Sequence, residues 1–553
     1  MDNNTDPNPE WLSSRRDFLI QTGVGVAALL TGNTGLSSCT SKRSTAHIQG
    51  GMAGANHQAG HKLRAISELA KLPVTERLTT DVLIIGGGVS GLSARRWLHR
   101  QGVQNVLLLE MDKQTGGNAA YGQNSVSAYP FGAHYLPIPD LRDEELIQFL
   151  QESKVITGFD TQKRPVYNDY FLCHDPEERL FINGVWQEGL VPETGISEAD
   201  RQQISRFFQQ IEVYKQAKGS DGRDAFAIPL DRSSVDSQFR KLDTTSFAHY
   251  LDQEGFTSPY LRWYLNYGCR DDYGATLETT SAWAGIHYFA SRKGQAANAG
   301  PSSVLTWPQG NGFLADQLRH QSDSLIRQNF LAYEVQQSDS GVLVKACDVL
   351  TNQVVQIQAQ QVIVATPQFI TRHILQTMAP ERSQLAGFQY APWMVANLTI
   401  SGLPQGRGIG LCWDNVLYNM PSVGYISANH QDLRDSSQKV ITVYKPLTDE
   451  APDVARRTAY STTYEQWLTQ ILDELELAHP GLTSFVSQAD VWVWGHGMIA
   501  PTPGFIWGAD RQQASQSIAG RVHFAHSDLS GISIFEEAFY QGIRAAQEVT
   551  KMV

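Results

Sequence analysis

The chain is poor in cysteine, lacks an excess of basic residues and has no apolar run long enough to cross a membrane comfortably. Its 553 residues hold five cysteines, Cys39, Cys173, Cys269, Cys347 and Cys412, with no Cys-x-x-Cys pair. That speaks against a zinc or iron–sulfur centre. The wide scatter of the last four points to buried free thiols, with a disulfide left open. Lys and Arg number 44 against 56 Asp and Glu, a net charge of −12, and no basic patch stands out, so nucleic acid is not expected as a partner. The longest apolar run, from about Phe18 to Leu30, contains Gln21 and several glycines; a span needs about 20 apolar residues. No internal repeat is evident. His57 and His61 lie four apart in a stretch without helical periodicity, and they are read as tether residues, with no metal expected.

What is present is a glycine turn in a specific setting. The run Asp81-Val82-Leu83-Ile84-Ile85-Gly86-Gly87-Gly88-Val89-Ser90-Gly91 reads as strand, turn and helix start. Gly86 permits the tight turn, Gly88 lets backbone approach a pyrophosphate, and Gly91 lets the helix lie close on the strand. The helix N-terminus at Val89 and Ser90 offers free N–H groups to phosphate. The next strand, Val106–Leu109, ends at Glu110, where a carboxylate can accept hydrogen bonds from ribose hydroxyls. This is a dinucleotide site. Met111 follows, and a second glycine pair, Gly116-Gly117 before Asn118, brings more backbone to the cofactor.

With that second pair the chain resembles the FAD-dependent amine oxidase and phytoene desaturase superfamily. The C-terminal stretch Val522-His523-Phe524-Ala525-His526-Ser527-Asp528 resembles the superfamily's last strand. The resemblance makes Asp528 the acid on the ribityl chain, with His526 and Ser527 where glycine is usual. The helix carrying Glu536, Ala538, Gly542, Ala545 and Ala546 matches the one that follows. Gln361–Pro367 resembles the strand ending in Ala365-Thr366-Pro367, and Trp307–Leu314 resembles a Pro-x-Gly-Gly segment. Ala332, in the alternating stretch 329–366, joins the expected cofactor contacts.

The resemblance implies an α/β fold: a Rossmann-like FAD-binding domain of the GR2 type, built from discontinuous segments, with an inserted α+β substrate domain. The FAD-binding domain is expected at 72–140, 301–375 and 491–553, and the substrate domain at 141–300 and 376–490. Residues 1–39 look like a twin-arginine signal, Ser14-Arg15-Arg16-Asp17-Phe18, with a lipobox-like Leu36-Ser37-Ser38-Cys39. A plain signal peptide is the other reading. Residues 40–71 are expected to be a flexible tether. The implied location is the outer side of a bacterial membrane, with a lipid anchor at Cys39 touching the membrane surface.

The implied activity is hydride transfer from an amine-like or other small organic substrate to flavin N5. An electron acceptor follows: oxygen, a quinone or a carrier protein. A flavin-dependent isomerase or desaturase of polyene type, or a non-catalytic anchored flavin-binding protein, are the alternatives. In the superfamily, Gly132 and Ala133 pass beside the flavin ring. His134, Tyr135, Trp494 and His496 are the catalytic candidates, with Trp494 as a substrate wall. Ile534 stands where monoamine oxidases carry an aromatic cage residue, and no cysteine lies in the C-terminal segment, so FAD is expected to be noncovalent. Asp271 and Asp272 are read as a solvated loop, with binding of a cation as the competing role.

Overall fold

The computed structural model describes residues 45–551 apart from 301, 323 and 433–436. The export signal and Cys39 lie outside the described residues.

Fifteen strands build two large sheets. In chain order they are β1 (Gln49–Gly54), β2 (Val74–Ile85), β3 (Val106–Leu109), β4 (Glu178–Ile182) and β5 (Val185–Glu188). Next come β6 (Leu325–Arg327), β7 (Phe330–Ser338), β8 (Gly341–Asp348), β9 (Val354–Val364) and β10 (Tyr390–Ile400). The last are β11 (Asp414–Leu417), β12 (Tyr425–Ser427), β13 (Lys439–Pro446), β14 (Val486–Ile499) and β15 (Val522–Phe524).

The first sheet has the order β6-β3-β2-β9-β8-β7, and β15 also pairs with β9. Strands β6, β3, β2, β9 and β15 run parallel. Their continuous apolar runs are what a sheet covered on both faces requires. One face packs Val82, Ile84 and Ile363 against helices α1 (Val89–Arg100) and, at the C-terminus, Phe535–Thr550. The other packs Leu83, Ile85 and Val364 in one core with Leu331, Leu63, Leu69 and Ile374. The C-terminal helix lies so close to α1 that a Cβ at Gly542 would sit 2.2 Å from Ser90 O.

The second sheet has the order β1-β14-β10-β13-β12-β11-β4-β5. Helices α2 (Pro259–Tyr273) and α3 (Ala282–Ala290) pack together in a separate aromatic core around Phe247 and Trp283. Ser258 caps α2 through Leu261 N, and Gly274 ends it in the left-handed region at φ 59°. The C-terminal helix Phe535–Thr550 is α4.

Three expectations are corrected. Residues expected as a tether carry β1 and short helices at His57–His61 and Ile66–Leu69. Strand β14 stays in the second sheet through Ile499, beyond the boundary expected at 490. Asp271 and Asp272 lie on the last turn of α2 rather than in a solvated loop, and Asp272 is buried. The four cysteines inside the described residues are buried free thiols.

Gly542→Val is expected to lower stability by about 1–3 kcal/mol, because the new methyls meet backbone that has nowhere to move. Thermal unfolding checks this; an unchanged midpoint refutes it.

Candidate cofactor and active site

The parallel strands end together, and their carboxyl edge gathers the expected cofactor residues in a row. Glu110 ends β3, Gly86 to Gly88 follow β2, Ala365 and Thr366 follow β9, and His526 to Asp528 follow β15. Such an edge is where open α/β sheets bind ligands. Gly86 has φ 107°, and a Cβ there would meet Ala365 O at 2.6 Å. A Cβ at Gly91 would meet Gly86 O at 1.9 Å, so glycine is required for α1 to start where it does. Glu110 accepts from Gly87 N and Asp112 N, both at 2.8 Å. Burial pushes its carboxyl up to about 7.

These residues fit a dinucleotide. Gly88 and Gly117 face each other across a backbone bridge between Gly88 and Gly116, with 4.0 Å from a Cβ at Gly88 to Gly117 Cα. Side chains at either position would fill that slot. Ser90 Oγ, at the start of α1, is buried without a hydrogen-bond partner. Met111 lies just beyond Glu110 and packs beside Gly60. At the other side Asp528 Oδ2 accepts from Gln368 N at 2.9 Å and from Tyr390 Oη. Burial alone would raise Asp528; His526, Tyr390 and Gln368 outweigh it and hold the carboxyl low. Ser527 is buried beside it, with Oγ 3.5 Å from Ser533 Oγ. Ala332 lies on β7 with its side chain buried in the core.

A cavity lies between the segment after the second glycine pair, the second sheet and the start of α4. Asn118, Gly132, Ala133, His134, Tyr135, Trp494 and Ile534 line it together. Asn118 Nδ2 donates to Gly497 O, and Trp494 Nε1 donates to Phe131 O at 2.6 Å. A Cβ at Gly132 would meet Asn118 O at 2.5 Å. His134 stacks on Tyr444, with centroids 4.5 Å apart. Burial lowers its imidazole to about 4, which leaves it neutral near pH 7. Tyr135 Oη donates to Asp272 Oδ1 at 3.2 Å and accepts from Arg292 at 3.1 Å. Arg292 also pairs with Asp272 at 3.1 Å.

His496 is not brought into this lining. Its ring stacks on Phe369 at 4.1 Å, and burial with nearby Arg456 and Arg372 lowers it to about 3. Sequence reasoning missed Arg292, Tyr288, Tyr444, Asp414 and Glu536. Glu536 is 4% exposed, lines the cavity and has no hydrogen-bonding side-chain partner among the described residues.

A second, outer cavity shares His134, Tyr135, Asp271, Tyr288, Arg292 and Tyr444 with the first. Its walls add Trp413, Tyr267 and Tyr264, and the carboxylates Glu177, Glu178 and Asp414. Burial, then Asp272, pushes Asp271 up to about 7. Burial, with Asp271 and Glu178 adding to it, also raises Asp414. Two cations line the outer space: Arg292 is paired with Asp272, and Lys215 with Glu212 at 2.8 Å. Among the described residues, no group of His, Cys, Asp and Glu has a metal-binding arrangement.

The family described as flavin containing amine oxidoreductase matches residues 89–550. No curated protein matches the chain significantly in sequence. Among solved structures, a putrescine oxidase variant superposes with a TM-score of 0.64 at 15% identity, covering 86% of this chain and 100% of that one. Cyclohexylamine oxidase from Brevibacterium oxydans IH-35A gives 0.60 at 15%, covering 86% and 99%. A fatty acid isomerase from P. acnes that produces CLA gives 0.59 at 15%, covering 85% and 98%. At that identity the likeness is one of fold.

Glu110→Ala is expected to weaken FAD binding about tenfold or more, since charge-assisted hydrogen bonds contribute about 1.5–3 kcal/mol. Flavin fluorescence titration of apoprotein checks this, and an unchanged Kd refutes it.

Proposed function

Because the chain belongs to the flavin containing amine oxidoreductase family and is an FAD-dependent oxidoreductase, we propose that it oxidises a small aliphatic amine carrying a second cationic centre. FAD, held noncovalently, supplies the two-electron acceptor. The substrate C–H next to nitrogen gives up a hydride, the nitrogen lone pair forms the C=N bond, and water then releases aldehyde and ammonia. An acceptor such as oxygen, a quinone or a carrier takes the electrons onward.

One observation carries this reading: carboxylates that make no direct ion pair among the described residues, in an aromatic-walled cavity. Asp271 has no hydrogen-bond partner among the described residues and lines both cavities. Tyr267 Oη donates to Asp414 at 3.3 Å, and no cation pairs with Asp414 among the described residues. Asp271 and Asp414 are half-buried, and holding carboxylates partly out of water is costly unless a cation joins them. Tyr135, Tyr288, Tyr444 and Trp413 add the ring faces that attract ammonium. In the inner cavity His134 is neutral and adds no positive charge, while Asp272 compensates Arg292. The amine at the inner end can therefore lie there as the free base, with the distal ammonium near Asp271 and Asp414. A putrescine oxidase, solved with putrescine bound, shares this fold.

The signal around Arg15 and Arg16, with Cys39, supports export and a lipid anchor. Export after folding suits a protein that takes up its flavin in the cytoplasm.

Asp271→Asn is expected to raise KM for a linear diamine about tenfold, about 1.4 kcal/mol, and to leave KM for the matching monoamine within twofold. Equal effects on both refute the two-centre reading. The wild-type diamine KM should also rise as pH falls through about 7, because a raised carboxyl pKa means the anion is lost below it. The variant should lack that inflection. Initial-rate kinetics against pH check both.

A further inference from the structure

The segment ahead of the family match does not hang free; it crosses the cofactor end of the molecule. The match begins at residue 89, and the described chain begins at Thr45. Strand β1 adds in parallel to the edge of the second sheet, pairing Gln49 with Gln488 through Gly54 with Val493 on β14. The seating is tight: Gly50 has φ 125°, and a Cβ there would lie 1.9 Å from Ala489 O. The same β14 carries Trp494, Gly497 and Met498 of the inner cavity.

From β1 the chain moves to the first sheet. Asn56 Oδ1 accepts from Ala59 N at 3.1 Å and caps the turn His57–His61. Asn56 N donates to Asp112 Oδ1 at 3.3 Å. Gly60 packs on Met111, with 3.7 Å between a Cβ placed there and Met111 Sδ. Lys62 Nζ donates to Asn352 Oδ1 at 2.9 Å. Leu63 and Leu69 are then buried in the core with Leu83, Ile85, Leu107 and Leu109. Both residues touched on the way, Met111 and Asp112, directly follow Glu110, and Asp112 N donates to the Glu110 carboxylate.

We propose that residues 46–72 are a cofactor-retaining clasp. They complete the binding site for the adenosine half of FAD and tie the substrate sheet to the cofactor sheet, so that FAD leaves only after the clasp lets go. The inference rests on Glu110 being the ribose acceptor. Its residues come from outside the family match, and their contacts bridge two sheets that otherwise meet around the cavity.

The test compares FAD release from full-chain holoprotein, followed as recovery of flavin fluorescence after dilution into an apoflavoprotein trap. Leu63→Ala with Leu69→Ala loosens the clasp's hold on the core without touching Glu110 or the glycine turn. Release at least tenfold faster than wild type is expected, with the bound-flavin absorbance spectrum unchanged. A second arm avoids any folding defect: a protease site inserted between Gly54 and Ala55 is cut in the folded holoprotein, which detaches β1 from the rest of the clasp. Faster release after cutting is again expected. Release rates equal within twofold in both arms overturn the clasp and leave the cofactor assignment standing. A chain that takes up no FAD at all overturns the cofactor assignment, and the clasp falls with it.

Discussion

Everything in this molecule depends on how closely backbone meets backbone at the carboxyl edge of the parallel sheet. Gly86, Gly91 and Gly542 each stand where a single Cβ would strike a main-chain oxygen, at 2.6, 1.9 and 2.2 Å. Backbone contact at that range cannot relax as a side chain would. It fixes α1 on β2, β9 beside the turn and α4 on α1, so Glu110 and Asp528 end on the two flanks of one row. The cofactor site is thus a by-product of packing density. The backbone that would contact phosphate is left without side chains packed over it because glycine keeps them away.

That dependence explains what the sequence reveals. Gly86, Gly88, Gly91 and Glu110 are readable because their roles are set by short separations and by backbone conformation, which amino-acid type reports directly. The meander β7–β9 is readable because each strand alternates and is bounded by turns. Asp271 was misread because its meaning comes from Tyr135, Arg292 and Asp414, which are distant in sequence; locally, Arg270-Asp271-Asp272 looks like any charged surface. The tether was misread for another reason. Strand β1 is exposed on both faces apart from Gly51, so it shows no alternation, and its neighbouring helices are too short for a 3.6-residue period. Edge strands that pair with a distant segment leave little local trace.

The two cavities show how burial sorts charge. Arg292 meets Asp272 and Tyr135, and that group is closed electrostatically. Asp271 shares the same helix turn as Asp272 but feels Arg292 only at longer range, without an ion pair among the described residues, and Asp414 receives one phenol. A fold selected for stability alone gains little from such a half-buried pair, since replacing desolvated charge with apolar groups is often neutral or stabilising. The unmatched charge is better explained by something that arrives from solvent.

The same reasoning applies to the aromatic partition. His134, Tyr135, Tyr288 and Tyr444 separate an inner space next to Asn118 and Gly132 from an outer space next to Asp414. A compact monoamine would fill only the inner part and leave the outer carboxylates uncompensated. In the proposed reading, a flexible molecule with a neutral amine at one end and an ammonium at the other would place the amine beyond the partition and the ammonium before it. Charge complementarity outside then fixes the depth of the reacting end inside, so orientation comes from a contact remote from the bond that breaks. Binding energy gained away from the reacting carbon is what permits a neutral, weakly held amine to sit at the inner end.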